Sequence, residues 1–457
     1  MDHAVRLDRA VDTPVAIKPA RLYSAFWRWH FLAALIVIPF VLWQSTTGTL
    51  YLWSEWWMDV RYPELRFVPT SSAAVTPSRQ IDAAFAAIGA GEKQKLENSL
   101  HEAHWHHGPP PAGAVDQPVQ QIVLSDDSHR STIIIMQGAD GLPYPVFVDP
   151  HTGSVLGTLT SSQWLPGITR ALHAGWPFGR PGNWLLELGD CWAIVMIVTG
   201  LYLWWPRGRS PLKALWPRFH AGPRLLLRDL HATVAVTFAG LFLFFLISAL
   251  PWTSFWGGEI LPRVQAVLNQ QSPAGFSAGG ASAAQIAESG SSIDSVARGV
   301  RERGVTGAIV IQLSTWQGSP LFVTNRTSSL SDDRIITADV STGVISSVFR
   351  NRDLPIIPRL VAVGIHVHQG DFGPTNLWLN TLLAASLIWL SVTGIISWWI
   401  RRPKGKIGAP PKSANPLPSG IIVALCLTGV LLPIFGLSVV AVGGIRWIAR
   451  RYGLKTA

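Results

Sequence analysis

The chain is poor in charge. Only 14% of its 457 residues are Asp, Glu, Lys or Arg, against about 25% in an average protein. That excludes a disordered or highly solvated chain. Cysteine is nearly absent. Cys191 and Cys426 cannot build a disulfide framework, and without CxxC or CxxCH there is no zinc ribbon, thioredoxin-type pair or covalent c-type haem attachment. GxGxxG, the phosphate-binding GxxxxGK loop and HExxH are also missing, which removes the common nucleotide and zincin signatures. The serine-rich outer segments place no nucleophile beside a base, so hydrolase chemistry is not expected.

What the sequence does hold is hydrophobic length. A bilayer crossing needs about 20 apolar residues, and stretches at 26–57, 183–205, 229–256, 376–400 and 418–445 reach it. Many of the 22 tryptophans sit at their ends, as an interfacial belt does. The first run is too long for a cleaved leader and reads as a retained anchor. Lysine and arginine crowd the N-terminal segment 1–25, the loop 206–228 and the linker 401–417. The positive-inside rule puts all three in the cytoplasm. The net charge of +10 is then a matter of topology, and no nucleic-acid partner is expected. The last stretch conflicts with this scheme. A full crossing would export Arg446, Arg450 and Arg451, and Pro433 and Gly436 interrupt its middle. A fifth span and a re-entrant hairpin, followed by a tail at 446–457, both remain open.

The chain repeats itself. His30 precedes Thr47-Gly48 by seventeen residues, and His231 precedes Ser248-Ala249 by the same distance. His173 in LHAGWPFGRPGNW leads into VTGLYLWWPR, and His368 in HQGDFGPTNLW leads into VTGIISWWIRR. The outer segments 58–182 and 257–375 share a turn, VFVDPHTGSVLG in one and ITADVSTGVISS in the other. Two copies of one unit follow: span, outer domain, span. In each outer segment a helical pattern (PSRQIDAAFAAIGA; ASAAQIAESGSSIDSVARGVRER) accompanies strand-like runs such as QQIVLSD, STIIIMQG, AIVIQLS and RIITADV. The expected fold is an α-helical membrane bundle of four core spans plus a C-terminal hydrophobic helix or hairpin. It carries two outer α+β domains, each a helix on a small antiparallel sheet.

A histidine-opened span, an outer domain with a V-D-P-x-T-G turn, an LHxG segment and a span ending TG…WWxR together resemble the PepSY-associated transmembrane proteins. The resemblance covers about residues 21–402. That family includes inner-membrane ferric-siderophore reductases of the FoxB type. The resemblance therefore implies a bacterial inner-membrane oxidoreductase with PepSY-like periplasmic domains and b-type haem in the bundle. It also implies a role in iron uptake, with a ferric siderophore or other iron(III) chelate as substrate. A cytoplasmic flavin reductase or quinol would be the electron donor, and membrane lipid would surround the spans. The sequence departs from the family at ISALPW in the third span, where a TG turn is usual, and in an extra histidine, His366.

Histidine in or beside a span is costly unless partnered, and neutral imidazole is a good axial ligand for haem iron. His30 with His231, and His173 with His368, form two pairs at opposite membrane levels, about 27 Å apart by helical rise. Two haems are expected there, with His366 as an alternative to His368. Arg28, Arg228 and Arg170 lie close enough in sequence to meet propionates. Small residues at Gly48, Gly200, Gly240 and Gly394 would allow close approach. The outer loop HEAHWHHGPPPAG offers His101, His104, His106 and His107 as a metal contact or as a solvated loop. Asp149 and Asp339 read as turn residues, Arg350 and Arg352 as surface charge, and the cysteines as apolar fillers. A membrane-anchored binding or regulatory module without redox activity is the alternative function. A permease is a third, disfavoured by how few ionisable residues lie mid-span.

Overall fold

The computed structural model describes residues 20–71, 74–87, 119–137, 142–207, 210–271, 290–312, 321–329, 332–339, 342–406, 408–410 and 417–452. The first half runs α1 (Ala20–Leu52), α2 (Ser54–Arg61), α3 (Pro63–Arg66), α4 (Pro77–Ala87), β1 (Val119–Leu124), β2 (Thr132–Gln137), β3 (Pro143–Val148), β4 (Val155–Thr158), α5 (Leu165–His173) and α6 (Gly179–Trp204). The second half repeats much of that order: α7 (Pro223–Ala249), α8 (Gly290–Glu302), β5 (Ala308–Gln312), β6 (Leu321–Arg326), β7 (Arg334–Ala338), β8 (Ile345–Arg350), α9 (Ile356–Gln369) and α10 (Pro374–Arg401). Two further helices, α11 (Ser419–Leu431) and α12 (Pro433–Arg451), close the chain.

Helices α1, α6, α7 and α10 form a ring in which each packs on two others. Among the described residues, they and α12 are the five helices long and apolar enough to cross a membrane. Their outer faces expose Leu35, Val198, Ile247, Leu382 and Ile396. Apolar residues all round a helix mark a hydrocarbon environment. One end of the ring carries the basic loops. The other carries the sheet.

Two separate outer sheets were expected. The structure has one antiparallel sheet of eight strands in the order β4-β3-β2-β1-β5-β6-β7-β8. The seam is β1 against β5, with Ile122 opposite Ile311 and Val123 opposite Val310. Each half alone would leave an apolar edge strand unpaired, and pairing the two edges removes that liability. On one face α4 and α8 lie side by side over a core of Ile81, Ile122, Ile134, Val296, Ile309 and Ile336. Asp294 of α8 accepts hydrogen bonds from the Ser78 backbone N–H (2.8 Å) and hydroxyl (2.7 Å), which ties the two helices together. The other face of the sheet packs Phe147 and Ile135 of the first half and Val310 of β5 against Met58, Leu65 and Trp164 beneath it. Asp149 and Asp339 are turn residues. Asp149 accepts from the His151 N–H and the Thr152 hydroxyl, and Asp339 from the N–H and hydroxyl of Thr342. Gly153 and Gly343 complete the turns at φ of 76° and 68°, where a side chain would be strained.

The C-terminal stretch is a hairpin. The chain breaks at Leu432, and Gly436 folds back against the Gly429 backbone. Leu432 and Phe435 at this turn pack on Cys191, midway along α6, and on Leu250 just past the end of α7. The Trp256 indole donates to the Leu431 carbonyl (3.1 Å), and Trp192 donates to Ser438 (3.1 Å). At thirteen residues α11 is about 20 Å long, too short for a bilayer. Helix α12, which carries Arg446, Arg450 and Arg451, packs on α11 and on α6.

Candidate functional site

The ring encloses a cavity of about 1150 Å³, at or above the roughly 300–1,000 Å³ of ordinary ligand pockets. It runs from Trp27, Arg207 and Arg401 at the basic end to Arg170, His173 and Asn183 at the sheet end. His30, His231, His173 and His368 all line it.

Each imidazole is gripped by a neighbouring helix. His30 on α1 places Nδ1 3.2 Å from the Thr199 hydroxyl and 3.1 Å from the Met196 carbonyl of α6. His231 on α7 places Nδ1 2.9 Å from the Thr393 hydroxyl of α10. His173 on α5 places Nδ1 3.0 Å from the Thr47 hydroxyl of α1. These hydroxyls spend their own protons on main-chain carbonyls: Thr47 on Trp43, Thr199 on Met196 and Thr393 on Trp389. Each hydroxyl oxygen therefore accepts from the imidazole. That geometry assigns the proton to Nδ1 and leaves the Nε2 lone pair for the cavity. The glycine after each threonine makes room for the ring. A Cβ on Gly48 would lie 3.2 Å from His173 Cε1, one on Gly200 3.1 Å from His30 Cε1, and one on Gly394 3.9 Å from His231 Cε1. Gly240, expected to act likewise, faces open space.

The fourth position differs where the sequence departs from TG. Ser248 of α7 donates to the Phe245 carbonyl (3.0 Å), and His368 Nδ1, turned toward that carbonyl, is buried without a hydrogen bond of normal geometry. Space comes instead from the helix that carries the histidine. A Cβ on Gly364 would lie 3.0 Å from Ser248 Cβ.

The ring centroids of His173 and His368 are 6.3 Å apart, with planes inclined by 63°. A metal–imidazole bond of about 2 Å on each side, plus half of each ring, puts two axial imidazoles roughly 6 Å apart. A b-type haem needs two neutral imidazoles and an apolar slot between them, and here His173 also has a partner on Nδ1, Thr47. The residues present fit the group. The level of Thr47, which holds His173, lies seventeen residues along α1 from His30, about 26 Å.

The arginines sort differently from the sequence expectation. Arg170 and Arg228 line the cavity, Arg228 in an ion pair with Asp229 (3.0 Å). Arg28 does not. Its guanidinium turns away to the Pro410 carbonyl, because the linker after α10 folds back over the end of α1. Arg207 and Arg401 take the rim, the first over Tyr23 and Tyr202 (5.2 and 5.1 Å) and the second over Trp27 (4.8 Å). The Trp204 indole N–H is buried at this end without a partner. The signal for these residues was in the repeat itself, since WWPR and WWIRR put a cation just past each tryptophan pair.

His366 is not in the cavity. Its Nδ1 lies 2.8 Å from Asp371 and its Nε2 3.3 Å from Asp333, so neither nitrogen is free to bind a metal. On α9 it faces the opposite way from His368, as residues two apart do. Burial disfavours its charge, but the two carboxylates outweigh burial and hold its pKa up to about 9. A folded value above the unfolded one, about 6.5, adds stability that is full below pH 6.5 and fades as pH rises through 9. We expect His366→Ala to lower the melting temperature at pH 6 more than at pH 9.5 while haem content stays unchanged. A matching loss of haem would place His366 among the ligands instead.

His101, His104, His106 and His107 lie outside the described residues, as does the stretch Gly275–Gly279, which has GxSxG spacing. His220 is exposed near the basic end. Cys191 is buried as expected, whereas Cys426 is exposed on the hairpin. One pair of acids was not singled out from the sequence. Glu187 and Asp190 sit on the same membrane helix, α6.

Apolar helices around a histidine-lined cavity, capped at one end by an antiparallel sheet, define a multi-pass membrane protein. The model of the PepSY-associated TM region family matches residues 27–401. The chain belongs to that family. No curated protein matches it.

Proposed function

We propose that the chain is a haem-containing reductase of the bacterial inner membrane that passes electrons to an iron(III) chelate, such as a ferric siderophore, on the periplasmic side. The observation that carries this reading is the set of four imidazoles lining one cavity, three of them held at Nδ1 by a threonine, with His173 and His368 6.3 Å apart. His30 and His231 would hold one b-type haem, and His173 and His368 the other. Haem iron supplies one-electron chemistry. The chain's own residues fix the tautomer, exclude water with apolar walls, and offer Arg207, Arg228, Arg401 and the Trp204 N–H to propionates at the basic end. Arg170 serves the sheet end. The basic loops support a cytoplasmic position for that first end, where a flavoprotein or quinol would deliver electrons. Iron(III) in the chelate takes one electron and becomes iron(II), a softer and less charged ion that hard oxygen donors hold less strongly.

Colour tests this. Protein purified from haem-replete cells should show a Soret band and a reduced-minus-oxidised α band. A colourless preparation would overturn the reading and favour a membrane-anchored binding module. The threonines give a finer check. Thr47→Val and Thr393→Val remove the acceptor on Nδ1 of His173 and His231, and loss of such a partner typically costs about 10–100-fold in metal affinity. Each variant should release haem to apomyoglobin faster than wild type does, and equal rates would show that the hydroxyls do not orient the rings.

A further inference from the structure

Two carboxylates line the cavity, Asp229 and Asp190. Asp229 is bonded to Arg218 and Arg228. Asp190 makes no hydrogen bond and no ion pair among the described residues. It stands nine residues before Thr199 on α6 and seven after Asn183, so it is about 14 Å from one histidine level and about 11 Å from the other. Phe40 of α1 packs against Gly189 at the same depth. Among the described residues that line the cavity, α1 and α7 offer Pro39, Phe242 and Leu246 between the two histidine levels, and Phe435 of α12 packs on the adjoining Cys191. On its own helix Glu187 acts on it and Cys191 adjoins it. The four imidazoles line the cavity above and below.

An unpaired carboxylate inside a membrane is costly and marks a functional position by default. Here its surroundings change charge during the proposed reaction. The iron–porphyrin core of a b-type haem carries one positive charge when oxidised and none when reduced, so the anion has a counter-charge there only in the oxidised state. We infer that Asp190 takes up a proton when an electron enters the bundle and releases it when the electron leaves. In balance, one electron from the flavin or quinol donor and one proton from water enter together, and the carboxylate becomes the neutral acid. This inference rests on the haem reading above.

The test is a spectroelectrochemical titration of the haem-loaded protein between pH 5 and 9. One midpoint potential should fall with pH by up to about 59 mV per unit, the tenfold change in proton activity converted for one electron. Asp190→Asn should flatten that slope, and Asp190→Glu should restore it. Redox-difference infrared spectra should show a protonated-carboxyl band appearing on reduction in wild type and missing in Asp190→Asn. An unchanged slope or band in a haem-loaded Asp190→Asn protein overturns the assignment and leaves the haem reading standing. If that variant fails to hold haem, Asp190→Glu decides by the position of its carboxyl band, and an unshifted band overturns the assignment. A colourless wild type overturns both.

Discussion

On the proposed haem reading, replacing His173 by alanine should cut the haem bound per chain by about half, because the iron held between His173 and His368 loses one of its two imidazoles. The same result is expected for His368→Ala, and the remaining spectrum should be identical in the two variants, since the same pair is broken. His30→Ala and His231→Ala should remove the other half and leave the complementary spectrum. Electron delivery from the basic side to an iron(III) chelate should fail in all four. The pairing follows from the 6.3 Å ring separation at the sheet end and from the attachment of His30 and His231 to adjacent helices at the other. Pyridine haemochrome analysis of the purified variants measures it. Haem content that stays at the wild-type value in His173→Ala would show that the sheet-end pair holds nothing.

The second large effect is on stability. Glu187 is wholly buried on α6, and its carboxylate accepts the backbone N–H groups of Phe255 and Trp256, each at 3.0 Å. Those two donors belong to the segment after α7, which carries Trp256 against the hairpin turn. Glu187→Ala strands both donors away from water. An unsatisfied buried donor costs about 1–3 kcal/mol, so the loss should be on the order of 3 kcal/mol. Thermal unfolding in detergent should show it as a marked fall in melting temperature, and proteolysis should find the hairpin first. Glu187→Gln keeps one acceptor oxygen and should lose less. Equal melting temperatures for the alanine variant and wild type would show that this segment gains nothing from the contact.

Much of the fold was legible along the chain. The crossings were, because twenty consecutive apolar residues are a local property that no partner needs to complete. The strands of the sheet were, because STIIIMQG and RIITADV carry β-branched runs that point to one structure. The four imidazoles stood out because each takes the same place before a span in both halves, His30 with His231 and His173 with His368. What the threonine does was not legible. Thr47 and His173 are 126 residues apart, and only the packing of α5 on α1 brings the hydroxyl to Nδ1. The single sheet was missed for a related reason. An edge strand reads the same whether its edge is capped, solvated or joined to another, and here β1 found β5.

Side-chain direction was the other blind spot. Arg28 sits two residues before His30 and was expected at the propionates, yet it turns to the Pro410 carbonyl while Arg401, from the far end of the chain, takes the rim. His366 and His368 were indistinguishable as letters, and the carboxylates of Asp333 and Asp371 separated them. Asp190 was hidden because a single acid in an apolar run says nothing about whether it meets a partner.

The sequence by itself determined where the chain enters the membrane and which residue types recur at equal depth in its two halves, because hydrophobic length and helical spacing act between neighbours. Only the tertiary structure decided which imidazole faces which, which hydroxyl holds each ring, and which cations reach the rim. Those are contacts between residues more than a hundred positions apart, and their geometry is set by how four helices close into a ring.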